Sequence, residues 1–377
     1  MTSRERMLTA MWNKEPDMVP VAPDISNMIP CKLTGKPFWD IYLYKDPPIW
    51  KAYIDAVRYF GFDGWLDDVP NVFEEELIDE HKGKEVIIFQ SPERIITREY
   101  IEKNGIEWSE FVTVYYKDNP PIYIKAAKIG IESSSCPFYL IEGIKPQKKN
   151  EEILKEVKEY MGENGVVGVG VFPPALGSPE GKGYSIYDYD DSYKKVKEWS
   201  IEREEKVLKR LYKILSSPIK PDFILTGGSG LLVFNTLTIF RDITLPCLQK
   251  ITKMCKEAGI PSQVHCCGPE REIVRICAEE TDLKRINPLE TSPMGDCNLK
   301  EIKERFGKKV SLMGNLHTTE VMLCGSVKDM EEASKKAMDD AAEGGGFILS
   351  TGDQCGRDTP EKNIFKMIEV ARIYGKY

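Results

Sequence analysis

The chain can do chemistry mainly through a few histidines, a scatter of cysteines, and carboxylates placed after apolar runs. It has three histidines (His81, His265 and His317) and ten cysteines in 377 residues. The segment Val264-His265-Cys266-Cys267-Gly268 sets an imidazole and a thiol two residues apart. On an extended strand end that spacing puts His265 and Cys267 on one face and Cys266 on the other. Cys355, in Ser350-Thr351-Gly352-Asp353-Gln354-Cys355-Gly356, offers a second sulfur. A neutral imidazole and two thiolates suit Zn²⁺, and three protein ligands leave a fourth position for substrate, as in catalytic zinc sites. Glu290 could fill that position reversibly. An isolated H-x-C is also a common structural pair, so the chemistry depends on whether the fold gathers these residues.

The elements that must position them alternate. Short apolar runs at Met18–Ala22, Gly61–Leu66, Val166–Phe172, Pro221–Thr226, Ile260–His265, Arg285–Glu290, Val310–Gly314 and Gly346–Leu349 read as strands. Helical patterns separate most of them, among them Val196–Leu215, Leu248–Ala258, Glu270–Glu280 and Met330–Glu343. Strands separated by helices pair in parallel, and eight such units close into a (β/α)₈ TIM barrel. In that α/β fold, chemistry belongs at the C-terminal ends of the strands, where His265, Cys267, Glu290 and Cys355 all fall. Residues 83–130 break the rhythm: two β-like runs, the turn signal Asn104-Gly105, and a run from Ile106 to Tyr116 that can pair back. They read as an antiparallel β insertion after the second strand, within one domain spanning 1–377.

Other positions on the same rim are open to two readings. Asp24 follows the first strand and either orients substrate or caps a helix. Asn315 follows Met313-Gly314, and His317 beyond it reads as a loop or cap residue. Gly227-Gly228-Ser229-Gly230 is an anion-binding loop or a plain turn. The stretch Trp39–Trp50, with Tyr42 and Tyr44, is a lid over an apolar substrate or a packed loop. Cys136, Cys247, Cys255, Cys277 and Cys324 read as core cysteines, and His81 as a surface residue. The net charge of −8 disfavours nucleic-acid binding. No run of about 20 apolar residues suggests a membrane span. The polar start, Met1 to Lys14, lacks the apolar core of a signal peptide, so a cytoplasmic protein is expected.

Two blocks resemble the uroporphyrinogen decarboxylase superfamily. One is Arg4-Glu5-Arg6-Met7-Leu8-Thr9-Ala10 with Glu15-Pro16-Asp17-Met18-Val19-Pro20-Val21. The other runs from Gly314-Asn315-Leu316 through Gly344–Ser350 and Cys355-Gly356 to Asp358-Thr359-Pro360-Glu361-Lys362-Asn363. Within that superfamily, His265-Cys266-Cys267 with Cys355 resembles the zinc site of the corrinoid-dependent methyltransferases. Cobalamin-independent methionine synthase is similar in ligand order, with a glutamate where Glu290 stands. The resemblance implies zinc and methyl exchange with the cobalt of a corrinoid. The corrinoid would ride on a separate protein, because no Asp-x-His-x-x-Gly signature is present. The long insertion, the Trp39–Trp50 aromatics and Asp353-Gln354 depart from the coenzyme M branch. They favour O-demethylation of a methoxylated aromatic, with Asp24, Trp39 and Asn315 near the substrate. The alternatives are methyl transfer to coenzyme M and a metal-free decarboxylase.

Overall fold

The computed structural model of the chain describes residues 1–77, 83–102, 105–132, 137–177, 184–227 and 235–377. They divide into two compact units: Met1–Asp24, Val57–Glu76 and Lys149–Tyr377 in the first, Ile25–Ala56 and Leu77–Lys148 in the second. No helix among the described residues is long and apolar enough to cross a membrane.

In the first unit the apolar runs become a seven-stranded parallel sheet. Its strands are β1 (Gly64–Leu66), β7 (Gly165–Gly170), β8 (Phe223–Thr226), β9 (Ser262–His265), β10 (Arg285–Asn287), β11 (Ser311–Leu316) and β12 (Phe347–Thr351), in that spatial order. Helices supply the crossovers that parallel strands need. Tyr193–Ser216, for example, buries Val196, Ser200, Val207, Leu211 and Ile214, a stripe at helical spacing. The sheet curls around one core in which Trp65, Val166, Phe223, Leu225, Met313 and Ile348 meet Met7, Ala10 and Met11 of the opening helix, Ser3–Met11. That helix starts on a reciprocal capping box between Thr2 and Glu5. Gly168 faces Phe223 so closely that a Cβ there would lie 2.5 Å from the ring.

The expected first strand, Met18–Ala22, is not one. Pro20 and Pro23 remove backbone donors and leave an irregular segment with two isolated bridges, Met18 to Lys376 and Val21 to Leu349. The segment nonetheless bonds to both edges of the sheet. Ala22 N donates to Leu349 O, and Leu349 N donates to Pro20 O, each at 2.9 Å. On the other side, Asp63 N donates to Val21 O at 2.9 Å and Asp63 Oδ2 accepts from Val21 N at 2.9 Å. Arg6 Nη1 reaches Asp63 Oδ1 at 2.7 Å, while its Nε holds Asp17 Oδ1 at 2.7 Å.

The second unit carries an antiparallel sheet, as expected. Its strands are β2 (Lys84–Gln90), β3 (Arg94–Glu102), β4 (Ile106–Tyr116), β5 (Ile122–Lys125) and β6 (Tyr139–Leu140), in spatial order β5-β4-β3-β2-β6. β3 and β4 pair through Glu102 and Ile106, so the hairpin signalled by Asn104-Gly105 is present, although Asn104 itself lies outside the described residues. Trp39, Tyr42 and Tyr44 pack on a cluster of Leu43, Ile87, Ile95 and Tyr115. Arg98 is buried in β3, its guanidinium donating to Ser109 O and Glu132 O.

Two consequences are measurable. Asp63→Ala leaves Val21 N and part of the Arg6 charge without their buried acceptor. It should cost about 3 kcal/mol in denaturant unfolding, the lower end for breaking a buried pair, because Arg6 keeps Asp17; an unchanged midpoint refutes the linkage. Hydrogen bonding to Arg6 lowers the Asp17 carboxyl to about 2. A lowered carboxylate contributes stability above its unfolded-state pKa and loses it as the pH falls. Asp17→Asn should therefore flatten the acid loss of stability between about pH 4 and pH 2.

Candidate metal centre at the strand ends

His265 is the last residue of β9, and its register partner on β10 is Asn287. Gln263 and His265 are two apart on β9 and so share a face. Gln263 Nε2 lies 2.6 Å from Asn287 Oδ1, and Asn287 Nδ2 lies 3.1 Å from His265 Nδ1. The other ring nitrogen, Nε2, is 3.7 Å from Asp353 Oδ1. Burial lowers the His265 pKa against the opposing pull of Asp353 and Asp67, which favours the neutral imidazole that ligates metals.

The loops after β9 and β10 are tied together by carboxylates. Glu290 Oε2 accepts from Gly268 N, and Glu270 Oε2 accepts from Leu289 N at 2.7 Å. β10 ends at Asn287, so Glu290 stands three residues past the strand rather than at its end. Leu289 and Asp353 both have positive φ, 61° and 95°, so two loops of this rim turn through left-handed backbone.

Cys267, Glu290 and Asp353 each bring a ligand atom within 4.8 Å of the other two, the one such group of three among the described residues. Burial raises the Glu290 pKa, and the Asp353 charge adds to the shift. One soft sulfur and two carboxylates, with an imidazole beside them, form a donor set that a divalent cation satisfies and that repels itself otherwise. The residues fit zinc on this ground.

Cys355 is outside that group of three. Its thiol lies by the hydroxyls of Thr351 and Thr359, and burial with the nearby Asp24 charge pushes it up to about 12. Asp24 is on the same rim: its carbonyl accepts from Cys355 N at 2.8 Å, and its N donates to Thr351 Oγ1 at 3.0 Å. Asn315 Nδ2 donates to Leu289 O at 3.2 Å, and Asn315 lines a cleft with Glu290, His317 and Gly352. Trp39 belongs to the second unit and is half-buried in the cluster described above. Cys266 is buried, as expected of the residue facing away. His317 is a helix cap, its Nδ1 accepting from Thr319 N and Glu320 N. Cys247, Cys255 and Cys277 are buried and Cys324 is exposed. His81, Cys136 and residues 228–230 of the glycine loop lie outside the described residues.

Sequence reasoning missed Asp353 as a site residue. Its signal was an acid directly after a strand-end glycine, two residues before Cys355. Asn287 was missed as well, because its partner His265 is fixed by strand register and not by spacing.

Residues 189–374 match the uroporphyrinogen decarboxylase family. A curated relative from Methanosarcina mazei, methylcobamide:CoM methyltransferase MtbA, is 29% identical over 137 residues; the match spans 36% of this chain and 37% of that protein. A solved methyltransferase from Methanosarcina mazei superposes with a TM-score of 0.64 at 15% identity, covering 99% of this chain and 98% of the other. A B12-independent methionine synthase from Shewanella sp. W3-18-1 superposes at 0.46 with 12% identity, over 94% and 97% of the two chains. As its sequence resemblance implied, the chain carries a uroporphyrinogen decarboxylase family domain over residues 189–374.

Proposed function

We propose that this chain is a zinc-dependent methyltransferase on a (β/α)₈ barrel, with Pro20–Ala22 in the eighth wall position. In this reading it moves a methyl group from a methoxylated aromatic compound to the cobalt(I) of a separate corrinoid protein. The observation that carries it is the Cys267–Glu290–Asp353 group beside His265 at the strand ends. The proposed ligands are His265, Cys267 and Cys355, with Glu290 in the exchangeable position and Asp353 adjoining it. Zinc bound there would supply Lewis acidity toward a substrate heteroatom.

The chain's own residues do the positioning. Glu290 has one oxygen committed to Gly268 N and a second to offer, so it can yield to substrate without releasing its loop. Asn315 and His317 line the cleft beside it and face the substrate side. Asp24 steadies the Cys355 loop through its backbone. In such a reaction the nucleophile belongs to the corrinoid and the enzyme supplies orientation.

A second reading, transfer from a methyl-corrinoid protein to a thiol such as coenzyme M, is favoured by the name of the Methanosarcina mazei relative. The Trp39–Trp50 aromatics argue less for an aromatic substrate than their number suggested, because Trp39, Tyr42 and Tyr44 pack within their own unit.

Methoxybenzoates with a cobalt(I) corrinoid protein, and coenzyme M with the methylated corrinoid protein, should be assayed side by side. The proposal expects demethylation of the first; turnover of the second alone replaces it with the thiol reading. A purified protein that holds no zinc would favour a metal-free decarboxylase. Zinc absorption fine structure should show two sulfurs at about 2.3 Å. Cys267→Ala and Cys355→Ala should each remove one sulfur and most of the bound metal. A single sulfur, unaffected by Cys355→Ala, would put Asp353 in place of Cys355.

A further inference from the structure

Gln263, Asn287 and His265 form a chain of three buried polar groups reaching from inside the sheet to the candidate metal centre. Gln263 is fully buried and Asn287 is 2% exposed. The contacts are 2.6 Å between Gln263 Nε2 and Asn287 Oδ1, and 3.1 Å between Asn287 Nδ2 and His265 Nδ1. Gln263 Oε1 is buried with no hydrogen-bond partner.

Two arrangements satisfy this chain equally well. In the first, Gln263 donates to Asn287, Asn287 donates to His265 Nδ1, and the ring proton of the neutral imidazole sits on Nε2. In the second, both amides turn over. Gln263 Oε1 then accepts from Asn287 Nδ2, and Asn287 Oδ1 accepts from a proton on His265 Nδ1. Each arrangement makes two hydrogen bonds, and turning an amide exchanges its oxygen and nitrogen without moving its heavy-atom frame. The buried oxygen of Gln263, unused in the first arrangement, becomes the terminal acceptor of the second.

Only the second leaves Nε2 with a lone pair. Nε2 is the nitrogen that faces Asp353 and so the metal group. A ligating histidine needs its other ring N–H fixed by an acceptor, which sets the tautomer and the ring orientation. We propose that Asn287 and Gln263 are positioning residues for the metal centre. Their side-chain amides act as a two-member relay that holds His265 as the Nδ1–H tautomer and presents Nε2 to the ion. This inference rests on the zinc reading of the site. Strand register carries it: Asn287 stands opposite His265 because β9 and β10 pair residue for residue, and Gln263 lies two residues back on the same face.

With only three histidines, ¹⁵N-histidine labelling resolves the ring of His265 in the whole protein. Zinc-loaded protein should show His265 bound through Nε2 with a proton on Nδ1. Zinc affinity, measured by chelator competition, should fall about 10- to 100-fold in Asn287→Leu. It should hold in Asn287→Asp, which can only accept from Nδ1–H. Gln263→Leu should fall as well, by less, because it removes the group that orients Asn287. Ligation through Nδ1, an Nδ1 without a proton, or unchanged affinity in a folded Asn287→Leu overturns the relay while leaving the zinc site standing. Wild-type protein that binds no zinc overturns both. If Asn287→Leu does not fold, the tautomer of the wild-type ring decides.

Discussion

The carboxylate of Asp63 accepts from two directions at once: Arg6 Nη1 from the opening helix and Val21 N from the irregular segment beyond it. Through this group and three backbone bonds, Pro20–Ala22 joins β12 to the residue that precedes β1, so the two edges of the parallel sheet meet on one stretch of chain. An open sheet edge presents unpaired donors and acceptors; here they are used internally. Because the sheet is curled, the loop after β12 comes back toward the loops after β10 and β9, two and three strands away in the same sheet. That curl brings Asp353 near His265, which precedes it by most of a hundred residues.

The second constraint is electrostatic. Glu290 and Asp353 lie within 4.8 Å of each other in a partly enclosed rim, and Glu290 is raised by burial and by Asp353 together. Like charges this close are held apart from water only when a proton or a cation sits between them. The neighbours suit a cation: Cys267 as a soft donor and His265 kept neutral by burial. The loops that bring them together are stiffened by carboxylate-to-backbone bonds, Glu290 to Gly268 and Glu270 to Leu289, and by left-handed backbone at Leu289 and Asp353. Such geometry is costly to hold and is concentrated where a fold positions chemistry.

Most of the wall was legible in the sequence because a parallel strand is a short apolar run and its crossover helix a longer periodic one. Seven of the eight expected strands are present, within a few residues of their expected ends. The eighth failed for a local reason: Pro20 and Pro23 lack the donors that a ladder needs, so Met18–Ala22 keeps the position of a strand with isolated bridges in place of a ladder. The sequence leaves the aromatic stretch from Trp39 open between a lid and a packed loop. Trp39, Tyr42 and Tyr44 pack, because Leu43, Ile87, Ile95 and Tyr115 offer them an apolar cluster in the same unit.

The sequence by itself determined which side chains could chelate and which strand ends carry them. His265 closes β9 and Cys267 follows two residues later, past the strand end; the spacing alone marked both as neighbours at one rim. Tertiary structure alone decided which groups from different strands converge. Asp353 enters the site, and Cys355 lies by the hydroxyls of Thr351 and Thr359. Asn287 meets His265 only because β9 and β10 pair in that register. Spacing along one strand is a property of the chain, whereas distance across a curled sheet depends on curl, register and closure, to which every strand contributes.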